Sequence, residues 1–447
     1  MDTNAQRAER QLVTVRIPTW WTLAALVGGL VTGLLLSRGD AIDAVLAVSG
    51  PVGALWLRAL QVTIVPLVAG LLVVGISQMA QAASAGSAAR RMLGWVAAVL
   101  LFSGISSVLV TPALLDLFPP PAAAAGVLSA GGSQQDVPNL GAFIESLVAP
   151  NIVAAAAETA MLPLTLFIAA LALAIVRLPD TQRDVMLGFF RALANAMLIV
   201  IGWVLWVAPV GVFALALGVG AASGGAAFAT LGHYILIVVA AGIVVLVAGV
   251  LLAWLAGGIA PPRFARALLP AHAVALSTQS SLASLPAMLD SAHRLGLRER
   301  TAEFVLPLAV AIFRATSPAM NLAVAIYVAH LAGVALTPLT LAAGVAVAFV
   351  IAIGSVSLPG TISFVISVGP IALAMGVPIE PLALLVAVEM MPDLLRTVGN
   401  VTLDVALAAV VDRSADQNPP DRVDEAQSLP LRAGDAHDDI PTPPAAL

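Results

Sequence analysis

The chain alternates long apolar runs with short polar connections, and the runs change character about halfway along. Apolar stretches at about 19–36, 50–79, 92–118, 143–177, 186–218 and 228–257 read as membrane-length helices, because about 20 apolar residues span a hydrocarbon core. Pro150 and Pro163 are expected to break the fourth. After Gly257 the runs become short and interrupted. Stretches at about 264–276 and 285–293 flank a serine-rich tip, Ser277-Thr278-Gln279-Ser280-Ser281-Leu282-Ala283-Ser284-Leu285-Pro286, and neither flank reaches span length. That pattern predicts a re-entrant hairpin. A span at about 302–332 is interrupted by Phe313-Arg314-Ala315-Thr316-Ser317-Pro318, and one at about 341–375 by Gly354-Ser355-Val356-Ser357-Leu358-Pro359-Gly360. Ser-Leu-Pro recurs in both tips, at 284–286 and 357–359. Two interrupted segments, each followed by a span, predict an inverted repeat whose tips meet at a binding site near the bilayer midplane.

The last apolar run, 386–412, carries Glu389, Asp393, Arg396, Thr397, Asn400 and Asp404. At about 100° per residue all six fall within about 60° of Asp393 on one helix face. Leu394, Leu395, Val398, Val401 and Leu403 cover the rest of the surface. A stripe bearing both charge signs cannot face lipid, so it must line a bundle interior or a wet cavity. This is the default signature of a substrate or ion site, and the bland reading of the same residues is a polar network that pins helices together.

Composition agrees with a polytopic membrane protein: 60% of the 447 residues are hydrophobic, 10% are charged, and mean hydropathy is +1.02. Cysteine is absent, which excludes disulfides and thiolate metal sites. The five histidines are scattered without metal spacing and read as core or interface residues. Every basic residue is Arg. The net charge of −5 resides in the acidic tail and implies no nucleic-acid partner. Arg7, Arg10 and Arg16, then Arg90/Arg91, Arg177/Arg183, Arg263/Arg266 and Arg294/Arg298/Arg300, alternate with loops at 118–143 and 218–228 that lack basic residues. Both termini are therefore expected on the cytoplasmic side. Trp20 and Trp21 form an interfacial belt that favours a retained first helix over a signal peptide. From Ser414 the Asp-, Pro- and Ala-rich tail is expected to be disordered.

Asp393-x-x-Arg396-Thr397-x-x-Asn400-Val401-Thr402-x-Asp404 resembles the last-helix signature of the dicarboxylate/amino acid:cation symporters, the family of the glutamate transporters and their prokaryotic homologues. The serine-rich first tip, the Gly354-Ser355 and Pro359-Gly360 second tip, and Ala208-Pro209-Val210-Gly211-Val212-Phe213 are similar as well. The resemblance covers about residues 15–413. It implies an all-α polytopic membrane protein with eight transmembrane segments plus two re-entrant helical hairpins in inverted repeats, glutamate-transporter-like. Residues 1–18 would be a cytoplasmic segment, 19–257 the first six spans, 258–413 the transport core, and 414–447 the tail. It further implies a homotrimer in the plasma membrane, the inner membrane of a bacterium, and secondary transport of an acidic amino acid or C4-dicarboxylate rather than enzyme chemistry.

By that resemblance Arg396 holds the distal carboxylate of the substrate, a role suited to a planar guanidinium. Asp393 pairs with a substrate ammonium, and Thr397 and Asn400 add neutral hydrogen bonds. Ser280 and Ser281 of the first tip, Ser317, and Leu358 of the second tip complete the substrate set. Asp404 and the Asn400 carbonyl are hard oxygen donors for a cation, with sodium or a proton as coupling ion and no other cofactor.

The chain also departs from the family. Where the family has an Asn-Met-Asp-Gly-Thr run, this chain has Phe313-Arg314-Ala315-Thr316-Ser317. The Asn and Asp that help bind sodium are thus Phe313 and Ala315, and an Arg stands between them. The family's arginine near the first tip is Gln279, its alternative arginine position is Leu394, and a tyrosine position in the third span is Leu100. Arg314 is expected to stand in for a bound sodium, with coupling by protons, by fewer sodium ions or by exchange. Glu389, Asp393 and Asp404 are candidate proton carriers. The competing reading from another class is a substrate-gated anion channel.

Overall fold

The computed structural model describes residues 19–37, 42–84, 86–121, 145, 147–223, 226–354 and 360–417, and the described residues form helices and no strands. In chain order these are α1 (Thr19–Leu36), α2 (Ile42–Gln61), α3 (Ile64–Ser84), α4 (Ser87–Leu117), α5 (Ile152–Ala157), α6 (Met161–Val176), α7 (Asp180–Trp206), α8 (Ala208–Ser223) and α9 (Ala226–Leu255). The second half contributes α10 (Pro261–Thr278), α11 (Leu285–Leu295), α12 (Glu299–Ile312), α13 (Ser317–Ala332), α14 (Pro338–Gly354), α15 (Gly360–Ala374), α16 (Leu382–Leu385) and α17 (Met390–Gln417).

Among the described residues six stretches are long and apolar enough to cross a bilayer: Ile42–Ser84, Ala89–Leu117, Asp180–Trp206, Ala226–Leu255, Glu299–Ala332 and Met390–Ser414. The first and fourth expected spans fall short of that length, as α1 and as the pair α5 and α6. Trp20 and Trp21 are exposed at the start of α1, as an interfacial belt requires. The fourth stretch breaks at Thr159, which has φ of 54°, and not at either proline. Pro163 sits in the first turn of α6, where a missing N–H costs nothing, and Pro150 precedes the Asn151 cap of α5. The fifth expected span is likewise two helices, α7 and α8, parted at Val207.

Burial separates the elements. In Glu299–Ala332 and Met390–Ser414, 94% and 83% of the most apolar window is buried, against 33% in α7 and in α9. The helices that carry the polar residues are therefore wrapped by helices whose outer faces are apolar and exposed, such as Trp203 and Leu236. α1 and α8 pack most closely of all: a Cβ on Gly33 would lie 2.1 Å from the Leu217 carbonyl oxygen, and one on Gly29 would lie 2.6 Å from that of Phe213. This small-xxx-small face lets two backbones touch where lipid supplies no hydrophobic drive.

α10 and α11 pack on each other and on α17. The connection between them begins at Gln279, left-handed at φ of 51°, and proceeds through Ser280 and Ser281. α12 and α13 are parted at Phe313–Thr316, and Pro318 lies in the first turn of α13, where it is tolerated. The second tip, 355–359 with Ser355 and Leu358, the amino segment 1–18 and the tail 418–447 lie outside the described residues.

Candidate functional site

The polar stripe of α17 is buried as a unit. Asp393, Arg396, Thr397, Asn400 and Asp404 are all buried, Arg396 at 1% exposure and Asp404 at 0%. Glu389, also at 0%, sits in the turns just before α17 and not on the helix proper; the Asp393 N–H donates to its carbonyl at 2.9 Å, which keeps it in helical register.

Arg396 is held on three sides. Its Nη1 donates to Glu389 Oε1 and, at 3.2 Å, to Asp393 Oδ1, while Nη2 donates to Asn321 Oδ1 of α13 at 3.3 Å. Nε of Arg396 has no hydrogen-bond partner. The Thr397 hydroxyl donates back to the Asp393 carbonyl at 2.9 Å.

One turn further on, α17 meets the break between α12 and α13. Asn400 Oδ1 accepts from the Thr316 N–H at 3.0 Å and the Thr316 hydroxyl at 2.9 Å, and that hydroxyl lies 3.1 Å from the Arg396 carbonyl. A broken helix frees backbone groups that must be satisfied inside the protein. Here Asn400 satisfies one, and Gly399 makes room for the approach: a Cβ there would lie 2.4 Å from Thr316 Cγ2.

Arg314, in the same break, is 5% exposed, and its guanidinium acts electrostatically on Asp393 and Asp404. Both Asp404 oxygens and Arg314 Nε are buried without a hydrogen-bond partner, as is the Ser317 hydroxyl. In this constellation two buried guanidinium groups face three buried carboxylates, leaving one negative charge in excess when all are ionised. Among the described residues no group of three or more His, Asp or Glu is placed to hold a metal ion. The unpartnered Asp404 carboxylate is a hard oxygen donor fit for a small cation or for the charge of Arg314.

The structure thus brings together Glu389, Asp393, Arg396, Thr397, Asn400, Asp404, Arg314 and Ser317. Ser281 is buried, and the hydrogen bonds of Ser280 stay within its own connection, to Thr278, Ala283 and Ser284. The first two-helix unit reaches α17 elsewhere: His272 Nε2 donates to Thr402 Oγ1 at 2.9 Å, the Thr402 proton being directed to the Val398 carbonyl at 2.8 Å. Two members of the site, Asn321 and Tyr234, are not among the residues that the sequence pattern singles out, and Thr316 figures there only as part of the break. Asn321 carries a usable signal as the one amide in the otherwise apolar middle of α13. Tyr234 of α9 is fully buried, and its hydroxyl lies beside the Glu389 carboxylate, to which it can donate, with Arg396 close by.

Residues 19–414 match the family model described as the Sodium:dicarboxylate symporter family. The chain is 27% identical over 403 residues to the "Proton/sodium-glutamate symport protein" of Bacillus subtilis, covering 86% of this chain and 90% of that one. It is 28% identical over 420 residues to the "Proton/glutamate-aspartate symporter" of Escherichia coli, covering 88% and 91%. It is also 26% identical over 458 residues to the "Neutral amino acid transporter B(0)" of Bos taurus, covering 92% and 84%.

Proposed function

Because the chain belongs to the sodium:dicarboxylate symporter family, a family of membrane transporters and not of enzymes, we propose that it is a secondary active symporter of an acidic amino acid or a C4-dicarboxylate. The observation that carries this reading is the buried excess of negative charge around Arg396. An anionic substrate entering such a site adds charge of the same sign in a low-dielectric interior, which is unfavourable unless a cation enters with it. Cation-coupled uptake is the functional expression of that imbalance. Arg396 receives a carboxylate, Asp393 an ammonium, and Thr397, Ser280, Ser281, Ser317 and Leu358 complete the pocket. The side-chain carboxylate distinguishes the substrate from a neutral amino acid, which offers the guanidinium only its α-carboxylate.

Arg314 sets the coupling apart. A guanidinium fixed in the chain cannot exchange with bulk, so the counter-charge it gives Asp404 conveys no energy from an ion gradient. Coupling at that site then falls to protons or to exchange, with sodium retained only if Asp404 and the Asn400 carbonyl still form a cation site. The architecture that goes with this reading has eight spans, two re-entrant hairpins (α10 with α11, and α14 with α15) and a homotrimer with both termini on the cytoplasmic side of the inner membrane.

The test is uptake of labelled L-aspartate, L-glutamate and succinate into proteoliposomes, with sodium and proton gradients imposed separately. Concentrative, saturable uptake of at least one acid under one gradient is expected. Flux that never exceeds equilibrium under either gradient would leave the channel reading in its place.

A further inference from the structure

The carboxyl end of α17 is tied to its surroundings by three arginines. Arg298, just before α12, donates Nε to Asp412 Oδ1 at 2.8 Å and Nη2 to the Asp412 carbonyl. Arg91 of α4 donates to the Ser414 carbonyl at 3.3 Å, and Arg413 reaches the Ala256 carbonyl, just past α9, at 3.5 Å. Arg263 of α10 closes the circuit by donating to the Leu295 carbonyl at the end of α11, at 2.8 Å. The starts of α4, α10 and α12 and the ends of α9, α11 and α17 therefore share one face. As many helices finish there as begin, so their macrodipoles offset one another and side chains set the sign of the face.

That sign is positive. The helix ends carry eight arginines: two at the start of α4, two at the start of α10, three from the end of α11 to the start of α12, and Arg413. Against them stand five acids, Asp290, Glu299, Glu303, Asp412 and Asp416, which leaves an excess of three positive charges. Two of those carboxylates are already engaged, Asp290 by Arg294 and Asp412 by Arg298. Arg91, Arg263, Arg266 and Arg413 donate to backbone carbonyls, and a neutral partner leaves the charge of the guanidinium uncompensated.

The chain that leaves this face carries the opposite sign. Residues 418–447 contain six acids and two arginines, an excess of four negative charges. The acids fall in two clusters, Asp421 with Asp424 and Glu425, and Asp435 with Asp438 and Asp439. A stretch of this length reaches at most about 100 Å, which puts both clusters within range of the face. Tethering presents them there at an effective concentration in the millimolar range. Carboxylates suit the face because a guanidinium is a planar fork of donors that can pair them bidentately.

We propose that this arginine face is the docking surface for the chain's own acidic tail, residues 418–447, whose two carboxylate clusters pair with arginines that otherwise donate to backbone carbonyls. The attraction is between exposed charges, so it is strong at low salt and screened at high salt. A docked tail ties together the ends of α10, α11, α12 and α17, and it occupies guanidinium groups that anionic lipid headgroups would otherwise draw. The inference stands apart from the transport reading.

The experiment uses the full chain, which has no cysteine, so that an introduced pair of thiols has no competitor. Ser428→Cys, between the two acidic clusters, is combined with Ala265→Cys, exposed on α10 beside Arg266. Disulfide formation is followed in purified protein at about 0.01 M and about 1 M salt, where the screening length falls from about 30 Å to about 3 Å. Cross-linking within the chain is expected at low salt and should slow about tenfold or more at high salt. Replacing the six acids of residues 418–447 by their amides should slow it at both salt concentrations. Arg266→Gln with Arg300→Gln, two exposed positions, should slow it from the other side of the contact. Absence of the link at low salt overturns the proposal, and so does a link indifferent to salt and to the acid replacements. Disulfides joining two chains would assign the face to a second copy and overturn it as well. Loss of the link in phosphatidylglycerol vesicles, with retention in phosphatidylcholine vesicles, would give the face to lipid headgroups and overturn it too.

Discussion

The two ends of the polar stripe on α17 are built on opposite terms. At the Arg396 end a buried cation is crowded with partners: two carboxylates and an amide oxygen on its Nη groups. At the Asp404 end a buried anion has none, both oxygens being without a hydrogen bond and Arg314 acting only electrostatically. Burial is equally complete at both. A buried charge left alone is costly, so the two ends differ in how much of that cost the chain itself offsets. The Arg396 end draws most of its charge pairing from within the chain, and the Asp404 carboxylate draws no hydrogen bond from it.

Breaking the first end should give the largest effect. Arg396→Ala leaves Glu389 and Asp393 facing each other in the interior, and removing one partner of a buried pair costs about 3–5 kcal/mol. Substrate binding should be lost and thermal stability should fall sharply, as read by a melting curve and by aspartate or succinate binding on the folded fraction. A variant that melts like the wild type and still binds would show that Arg396 is neither the capture group nor structurally paired.

The joint between the ends comes next. Gly399→Ala places a methyl against Thr316 Cγ2, and overpacking of this kind costs about 1–3 kcal/mol. Because Thr316 holds Asn400, uptake should fall along with the melting temperature. An unchanged melting temperature would mean that the break yields freely.

Arg314→Met addresses the second end and should change ion dependence more than stability. With that facing cation gone, Asp404 needs an external one, so uptake should acquire a steeper dependence on sodium or protons, or cease. Uptake and ion dependence both untouched would falsify the reading of Arg314 as a resident counter-charge. The smallest effect should come from Thr402→Val, which removes the contact with His272 at a cost of about 1 kcal/mol. A melting shift of more than a few degrees there would indicate that the first two-helix unit depends on that contact far more than one hydrogen bond allows.

The stripe is legible in the sequence because six polar residues in an apolar run can share a face only at helical spacing. The breaks at Phe313–Thr316 and around Ser280 are legible from the same conflict, since polar and proline residues interrupt runs too short to span. What stays hidden depends on contacts across the chain. Nothing local marks Tyr234 as the neighbour of Glu389, 155 positions away by numbering, or Asn321 as the third ligand of Arg396. The fourth stretch shows the limit of local rules: two prolines point to a break, yet both are accommodated at helix starts and the chain turns at Thr159 between them. Likewise Asn400, whose amide reads as a substrate and cation ligand, has its side-chain oxygen engaged by Thr316.

That last contact carries a mechanical consequence. The gap between α12 and α13 is bridged by side-chain and backbone groups of a different helix, so the gap and α17 are fastened to each other at the depth where the charges lie. Neither can slide past the other by a helical turn without leaving a buried amide and hydroxyl bare. Any displacement of α17 along its axis must therefore take the break and its Arg314 with it, in the same step as Arg396 and Asp404.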